Sequence, residues 1–382
     1  MLFIGSICAI IASGFVYRNF RESCSFIIDR FLCEIKYMLL AVKEITYDWI
    51  YMKNNKNDCS AQTGRIAIVT GGSRGIGFEV VKMFLELDME VIIGLFTKYS
   101  SLLFVSEIYY CNIFYNLRYI FFSACRTPSF GEKAILQIRE SGISTGQAKV
   151  YKLDNASLES VRQFAANIKK DYTQIHILVN NAGVMFCPYE ETVDGFEQQW
   201  AVNYLSHFLL TALLLPLLKA GGLPQQSSRI VNVTSCAHLL GTINFNDINN
   251  KKKFITGYAY AQSKLAQETF SKKLQDLLTE KQFHVQTYSV HPGVVLTELF
   301  SYTYVWKLKL LFEHFFKTPR QGAISVAYAA VNKAVENHGG VYISNCRPSK
   351  THPDALNLSI QQKLLELSLQ QVQLNDFFQH VQ

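Results

Sequence analysis

The chain has 382 residues, of which 49% are hydrophobic and 18% charged. It is therefore long and apolar enough for a large α/β domain, and this composition argues against a mainly disordered chain. The net charge of +7 is dispersed along the sequence, which does not suggest nucleic-acid binding but leaves contact with an anionic membrane open. Nine widely spaced cysteines without a C-x-x-C pair argue against a disulfide framework or a zinc site, so no metal is expected.

The first segment, Leu2 to Tyr17, is uncharged and mostly apolar, and Arg18 and Arg21 follow it directly. A cleaved signal peptide usually carries its positive charges before the apolar stretch, not after it. The segment is short for a spanning helix of about 20 residues. We predict an uncleaved membrane anchor, with the rest of the chain on the cytosolic side. The alternative is a hydrophobic helix packed on the domain.

The next segment has apolar residues at three- and four-residue steps, which is typical of an amphipathic helix. These residues are Ile27, Ile28, Phe31, Leu32, Ile35, Leu39, Val42 and Ile45. The helix is expected either to lie on the membrane or to pack on the domain. Trp49, Tyr51 and Lys53 have the character of interfacial anchors. We therefore assign residues 1–53 to a membrane anchor with an amphipathic helix, and residues 54–63 to a linker.

A strand, a glycine turn and a helix follow the linker. The apolar run Arg65–Val69 predicts a buried strand, Thr70–Gly77 is the turn, and residues 78–87 have helical spacing. Such an arrangement points the amides of a helix N-terminus at a phosphate, and the glycines let a pyrophosphate approach the backbone. A glycine-rich turn alone is weak evidence of a nucleotide site.

Strands and helices alternate through the rest of the domain. Strands are predicted at residues 90–93, 148–154, 175–180, 228–233, 285–290 and 339–344, and helices at residues 157–172, 192–219 and 257–280. This alternation predicts an α/β fold with a doubly wound parallel sheet, Rossmann-like and of about seven strands, preceded by the membrane-anchor helix. The domain spans residues 64–350, and residues 351–382 form a helical tail.

One segment, Leu95 to Ser123, interrupts this pattern after the second strand. It is rich in Tyr, Phe, Ile and Leu and has few charges. A loop so long and apolar would expose a large hydrophobic patch at the cofactor edge of the sheet. We interpret it as a retained intron in the gene model, and the alternative is a hairpin that dips into the membrane.

The glycine turn resembles the T-G-x-x-x-G-I-G motif of short-chain dehydrogenases/reductases. Three further signatures of that family follow in order: Asn180–Gly183, Tyr260-x-x-x-Lys264 and His291–Val294. The resemblance covers residues 64 to 344 apart from the insertion, and within the family the chain is most similar to the retinol-dehydrogenase-like branch. It implies a catalytic tetrad of Asn203, Ser235, Tyr260 and Lys264.

Physical chemistry supports part of this assignment. Tyr260 and Lys264 are four residues apart on a predicted helix, so their side chains share a face. A phenol pKa of about 10 is too high for proton exchange at neutral pH, and a nearby ammonium lowers it. Ser235 ends a strand at the sheet edge where ligands bind, and the resemblance assigns it to the substrate oxygen. The resemblance assigns Asn203 to a water in a proton relay.

The resemblance also implies the cofactor-binding residues. They are Gly71, Ser73, Arg74, Gly75, Ile76, Gly77, Arg126, Asp154, Asn181, Ala182, Gly183, Tyr260, Lys264, Val294 and Thr297. Arg126 stands where NAD-specific members carry an acidic residue, and Arg74 lies in the glycine turn. Both arginines favour a 2′-phosphate, hence NADP(H), while NAD(H) stays open. The position of Arg126 depends on how the insertion before it is treated.

The expected function is an NADP(H)-dependent oxidoreductase that interconverts a hydrophobic, retinoid- or polyprenoid-like alcohol and its aldehyde or ketone. The expected partners are membrane lipid, in the endoplasmic reticulum, and a second subunit bound through residues 192–219 and 257–280. The aromatic segment 300–317 is expected to form a substrate lid, or else to pack on the domain or a partner. The alternative function is a non-catalytic membrane-associated binding protein whose cofactor site the insertion disrupts.

Overall fold

A computed structural model describes residues 2–56, 59–95, 130–303 and 313–381, and for residues 2–24 it describes the backbone alone. Arg126, the insertion after Leu95 and residues 304–312 of the predicted lid lie outside the described residues. The predictions made for them are therefore carried forward as predictions.

The domain is built on an eight-stranded sheet with the order β3-β2-β1-β4-β5-β6-β7-β8. All neighbouring strands are parallel except the last pair, β7 and β8. The strands are β1 (Ile66–Thr70), β2 (Glu90–Leu95), β3 (Gln147–Lys152), β4 (Ile177–Asn180), β5 (Ser228–Val233), β6 (Val285–His291), β7 (Val341–Ser344) and β8 (Arg347–Pro348). The predicted Rossmann-like fold is confirmed. Among the described strands, only the short antiparallel β8 was not predicted, and the helices Phe130–Glu140 and Pro319–Val331 were not predicted either. The strand order reverses beside β1, so the loops after β1 and β4 border one crevice.

Helices cover both faces of the sheet. They are α2 (Gly75–Glu86), α3 (Phe130–Glu140), α4 (Leu158–Asp171), α5 (Gln198–Gly221), α6 (Thr256–Glu280), α7 (Pro319–Val331) and α8 (Leu358–Gln371). One core packs α4, α5, α6 and α8 on one face, and a second packs α2 and α7 on the other. Because α5 begins at Gln198 rather than at residue 192, the predicted start is wrong; Glu197 caps the helix by accepting from the Gln199 and Trp200 amides.

The N-terminal segment forms one helix, α1 (Leu2–Tyr51), where the sequence predicted two separate helical segments. Its described part packs on the domain through one face, whose buried members are Cys33, Leu40, Glu44 and Asp48. The apolar stripe predicted from periodicity lies on the opposite face, since Ile27, Phe31, Leu39 and Val42 are each more than 60% exposed. Packing on the domain therefore does not bury the predicted stripe.

One helix within the described residues, α5, is long and apolar enough to cross a membrane by composition and length. Nearly all of it is buried in the domain core. It is therefore a core helix, and it gives no support to the predicted anchor.

The C-terminal tail packs against the two long helices α5 and α6. Phe377 contacts both Phe208 and Phe270, with ring centroids 5.2 and 5.4 Å away. The Trp200 indole donates to Gln371, 3.0 Å away. The tail thus covers a surface of these helices to which the sequence analysis assigned a second subunit.

Candidate active site

The glycine turn joins β1 to α2, and its close packing explains the glycines. Gly71 and Gly75 adopt positive φ angles of 67° and 57°, a region that favours glycine. A Cβ on Gly77 would lie 2.4 Å from the Gly71 carbonyl oxygen and 2.5 Å from the Asn181 amide nitrogen. The turn therefore presents the N-terminus of α2 with no side chain in the way, and these residues fit a bound pyrophosphate.

The end of β4 is held against this turn by hydrogen bonds. The Thr70 hydroxyl accepts from the amides of Asn181 and Ala182, both 2.9 Å away, and lies 3.0 Å from the His207 ring. The Asn181 side chain donates to the Thr70 carbonyl at 2.8 Å. Asn181 thus shapes the crevice through contacts to the backbone of the glycine turn.

Asn203 lies in a π-helical turn at Ala201–Leu205, inside α5. Such turns are rare and occur frequently at functional sites. Its amide is fully buried, accepts from the Val184 N–H at 2.8 Å and donates to the Val184 carbonyl and the Ser263 hydroxyl, each at 3.0 Å. A Cβ on Gly183 would lie 3.2 Å from the Asn203 oxygen and 3.7 Å from the Lys264 Nζ. Gly183 therefore leaves open space beside both side chains.

Tyr260, Lys264 and Ser235 meet at the carboxyl end of β5. Lys264 Nζ donates to the Val233 carbonyl at 2.8 Å and to Gln267 at 3.2 Å, and it lies 5.9 Å from the centre of the Tyr260 ring. The Ser235 hydroxyl caps the turn that follows by accepting from the Ala237 amide at 3.2 Å. The structure therefore brings together the three residues that the sequence analysis assigned to proton exchange.

The protonation of this cluster follows from its burial. Burial raises the pKa of the Tyr260 phenol above its ordinary value of 10, and a hydrogen bond with Ser235 offsets part of that shift. Burial also lowers the pKa of Lys264 from 10.5 to about 7. The described structure thus holds Tyr260 as a protonated donor at neutral pH, whereas the sequence analysis expected Lys264 to lower its pKa.

An apolar cluster surrounds the Tyr260 ring. Buried Met185 and Ala237 pack with it, together with partly buried Tyr37, Phe186, Leu299 and Phe300. Phe186 lies edge-on to both Tyr260 and Tyr37, with ring centroids 5.7 and 5.0 Å apart. Because Tyr37 belongs to α1, the N-terminal helix contributes to this cluster, which the sequence analysis missed.

Asp154, a predicted cofactor residue, lies in the loop after β3 next to Asn155. The Asp154 carboxylate accepts from the Ala156 amide at 2.9 Å and remains partly exposed. Asn155 is buried and donates to the Ser206 hydroxyl at 2.9 Å. Its side-chain nitrogen also lies 3.2 Å from His207 Nε2, so the polar side chain of Asn155 bonds to residues of α5.

The loop after β6, which holds the predicted cofactor residues Val294 and Thr297, is bound by hydrogen bonds to α1 and to Lys317. The Val294 N–H donates to Asp48 of α1 at 2.9 Å, and its carbonyl accepts from the Lys317 amide at 2.9 Å. By contrast, no described residue hydrogen-bonds the backbone of Val295, the next residue. Val295 is therefore the better candidate for a backbone contact with a nicotinamide group. Thr297 caps the turn at Glu298–Phe300, and it lies beside Gly75 of the glycine turn.

The comparisons with known proteins agree with this geometry. A family profile described as short chain dehydrogenase matches residues 120–307. Human polyprenol dehydrogenase is 36% identical over 304 residues, which cover 78% of this chain and 82% of that protein. Human retinol dehydrogenase 12 is 36% identical over 309 residues, 80% of this chain and 85% of that protein. The crystal structure of an uncharacterized Mycobacterium paratuberculosis protein superimposes with a TM-score of 0.61 at 28% identity, over 83% of this chain and 96% of that one.

The chain belongs to the short-chain dehydrogenase/reductase family. It is accordingly an NAD(P)-dependent alcohol oxidoreductase, and the comparisons do not favour the alternative of a non-catalytic binding protein. The family uses a nicotinamide cofactor, which fits the glycine turn and the unpaired Val295 backbone.

A buried group of possible metal ligands lies at the edge of this short-chain dehydrogenase site. One ligand atom each from Glu44, Cys236 and His291 lies within 4.8 Å of the others. His291 Nδ1 accepts from the Cys236 amide at 3.3 Å, so its Nε2 carries the hydrogen and faces Glu44, 3.8 Å away. A ring with Nδ1 as acceptor and a hydrogen on Nε2 offers no lone pair at Nε2, and that nitrogen has no hydrogen-bond partner among the described residues. The arrangement therefore does not favour a metal ligand at His291.

Proposed function

We propose that this enzyme is an NADP(H)-dependent oxidoreductase that interconverts a hydrophobic, retinoid- or polyprenoid-like alcohol and its aldehyde or ketone. The observation that carries the proposal is the Tyr260 phenol, flanked by Ser235 and enclosed by apolar side chains from the domain and α1. Such a site suits a carbonyl at the end of an apolar chain. The names of the similar human enzymes, a polyprenol and a retinol dehydrogenase, support this substrate class.

The residues of the site have separable roles in this proposal. The bound cofactor supplies or accepts the hydride. Ser235 orients the substrate oxygen by a hydrogen bond, and Tyr260 donates the proton to that oxygen in the direction of carbonyl reduction. A phenol whose pKa is raised by burial is protonated at neutral pH, so no prior change of its charge is needed for reduction. Lys264 holds the ribose, and Asn203 orders the Val184 backbone and Ser263 beside it.

A membrane location is supported by the outward face of α1. The exposed large apolar side chains on that face include Ile27, Ile28, Phe31, Leu32, Met38, Leu39, Val42, Trp49 and Ile50. An apolar face of this size is costly in water and favourable in a lipid interface. The same helix continues back to the uncharged stretch that begins at Leu2. We propose that α1 anchors the enzyme in the endoplasmic reticulum membrane with the catalytic domain in the cytosol.

The described C-terminal end of the predicted lid, residues 313–317, lies next to this helix. Trp49 of α1 stacks on Phe315, with ring centroids 5.9 Å apart, and its indole donates to the Phe315 carbonyl at 3.2 Å. Phe315 and Tyr302 are both exposed. A lid joined to the membrane-facing helix would let an apolar substrate pass from lipid into the site.

The test is NADPH oxidation by the purified full chain with retinaldehyde and with a short polyprenal. In Tyr260→Phe, the expected loss of kcat is at least 100-fold with NADPH binding retained, because general acid catalysis contributes about 10²–10⁴-fold. Tyr258→Phe is the matched control, since Tyr258 lies on the same helix and its hydroxyl accepts from Lys36. Full activity in Tyr260→Phe would disprove the assignment.

The membrane proposal is tested separately by liposome flotation. Replacing Phe31, Leu39 and Val42 with Ser in a chain that lacks residues 2–24 should abolish flotation. Unchanged flotation in that variant would show that the outward face of α1 does not contact lipid.

A further inference from the structure

The inner face of α1 places the carboxylate of Asp48 against the loop after β6, beside the active site. Asp48 is 3% exposed and forms an ion pair with Lys317, itself 3% exposed, at 2.8 Å. The same carboxylate accepts from the Asn345 side chain at 2.9 Å and from the Val294 backbone N–H at 2.9 Å. One side chain of the N-terminal helix therefore contacts the loop after β6, the segment before α7 and the residue that follows β7.

Lys317 completes this connection from the other side of the loop. Its Nζ donates to the Asn345 side chain at 2.7 Å and to the Pro292 carbonyl at 3.3 Å, while its backbone N–H donates to the Val294 carbonyl. Both polar backbone groups of Val294 are thus bound, one by Asp48 and one by Lys317. Among the described residues, none hydrogen-bonds the adjacent Val295 backbone, which is therefore available for a contact with a nicotinamide group.

The glycine of this loop shows how tightly it is held. Gly293 has a φ of 96°, and a Cβ there would lie 2.5 Å from the Lys317 Nζ and 2.7 Å from the Asp48 carboxylate. The turn at Gly293 therefore packs directly against the ion pair of Asp48 and Lys317. A buried ion pair is sensitive to loss of one partner, because the remaining charge stays buried without compensation.

We propose that Asp48 is a positioning residue of the active site, which holds the loop Pro292–Val295 in the place that binds the nicotinamide end of the cofactor. In this proposal α1 is a working part of the cofactor site and not only an anchor. The inference rests on the proposed function for the identity of the ligand. The hydrogen-bond geometry that carries it is independent of that function.

The first measurement is hydrogen exchange on the cofactor-free full chain in detergent. The Val294 amide should be protected although it lies in a loop, and Asp48→Asn should increase its exchange rate at least tenfold. The matched control is Asp29→Asn, which removes the exposed ion pair between α1 and Lys253 far from this loop. A Val294 amide that exchanges in the unmodified chain at the rate of an unstructured peptide would overturn the proposal, whatever the enzyme's activity.

The second measurement separates positioning from folding. In Asp48→Asn the Kd for NADPH should rise at least tenfold, while the Kd for adenosine 2′,5′-bisphosphate, which lacks the nicotinamide end, should stay unchanged. The double variant Asp48→Asn with Lys317→Met removes both buried charges and should regain stability but not NADPH affinity. If NADPH affinity returns together with stability, Asp48 is only structural and the proposal is wrong.

Discussion

Arg74 of the glycine turn forms an ion pair with Glu298, the residue that follows Thr297 in the loop after β6. Both side chains are more than half exposed. The pair joins two loops that lie on either side of the proposed cofactor site. Arg74, which the sequence analysis assigned to a 2′-phosphate, is therefore shared with a carboxylate in the described structure.

Because Glu298 competes with a 2′-phosphate for Arg74, we expect a change at Glu298 to alter the preference for NADPH over NADH. We expect kcat/KM to favour NADPH over NADH at least tenfold, because each charge-assisted contact with a 2′-phosphate contributes about 1.5–3 kcal/mol. Arg74→Ala should reduce that preference, and Glu298→Gln should increase it by freeing the guanidinium. Arg126→Asp should also reduce it if Arg126 contacts the phosphate. Equal kcat/KM for the two cofactors in the unmodified enzyme would contradict the assignment of NADP(H).

The buried ammonium of Lys264 predicts a pH-dependent stability. Burial lowers its folded-state pKa to about 7 from 10.5, so below pH 7 the lysine is charged in both states and only the folded state bears the cost of burying that charge. This cost declines as the pH rises from 7 to 10.5, because the folded protein is then already neutral at this position. Relative to the unmodified chain, Lys264→Met should be most stable at pH 6 and should lose that advantage by pH 10.

Urea denaturation of both proteins at pH 6, 8 and 10 measures this difference. Loss of the hydrogen bonds to Val233 and Gln267 changes the free energy of unfolding by the same amount at every pH. The test is therefore how the difference between the two proteins changes with pH. A difference in the free energy of unfolding that does not change with pH would show that Lys264 keeps an ordinary pKa.

Gly77→Ala should impair cofactor binding and stability together. Its Cβ would meet the Gly71 carbonyl at 2.4 Å and Asn181 at 2.5 Å, and both are held in place by β1 and β4. Overpacking of this kind costs about 1–3 kcal/mol. The control is Gly142→Ala, where the space is open but φ is 92°, so stability falls without a change at the site. NADPH titration should show weaker binding only in Gly77→Ala.

The tail predicts how the chain associates. Because Phe377 and Gln371 contact α5 and α6, a homodimer through those helices requires the tail to leave them. We expect the full chain in detergent not to pair through this surface. Sedimentation of the full chain and of a chain that ends at residue 357 should differ, with association or aggregation only in the shorter one. A dimer of the full chain that a Phe270→Glu change dissociates would contradict this.

The sequence by itself determined the elements that depend on local spacing. Buried strands appear as short apolar runs, the glycine turn is recognisable from its own residues, and Tyr260 and Lys264 share a face because they are one helical turn apart. The order of these elements along the chain was enough to predict the parallel sheet and the position of the candidate active site. The end of β5, with Ser235, follows from the same reasoning.

Only the tertiary structure decided which face of α1 meets the domain. Periodicity finds the more apolar face, and on α1 that face points outward, whereas the packing face carries Glu44 and Asp48. A carboxylate can be buried there only because Lys317, Asn345 and the Val294 amide surround it, and these partners are far away in sequence. Likewise, Glu298 became a partner of Arg74 only when the loops after β1 and β6 met. Local patterns identify the groups that do chemistry, but contacts between distant segments decide which of those groups are free to do it.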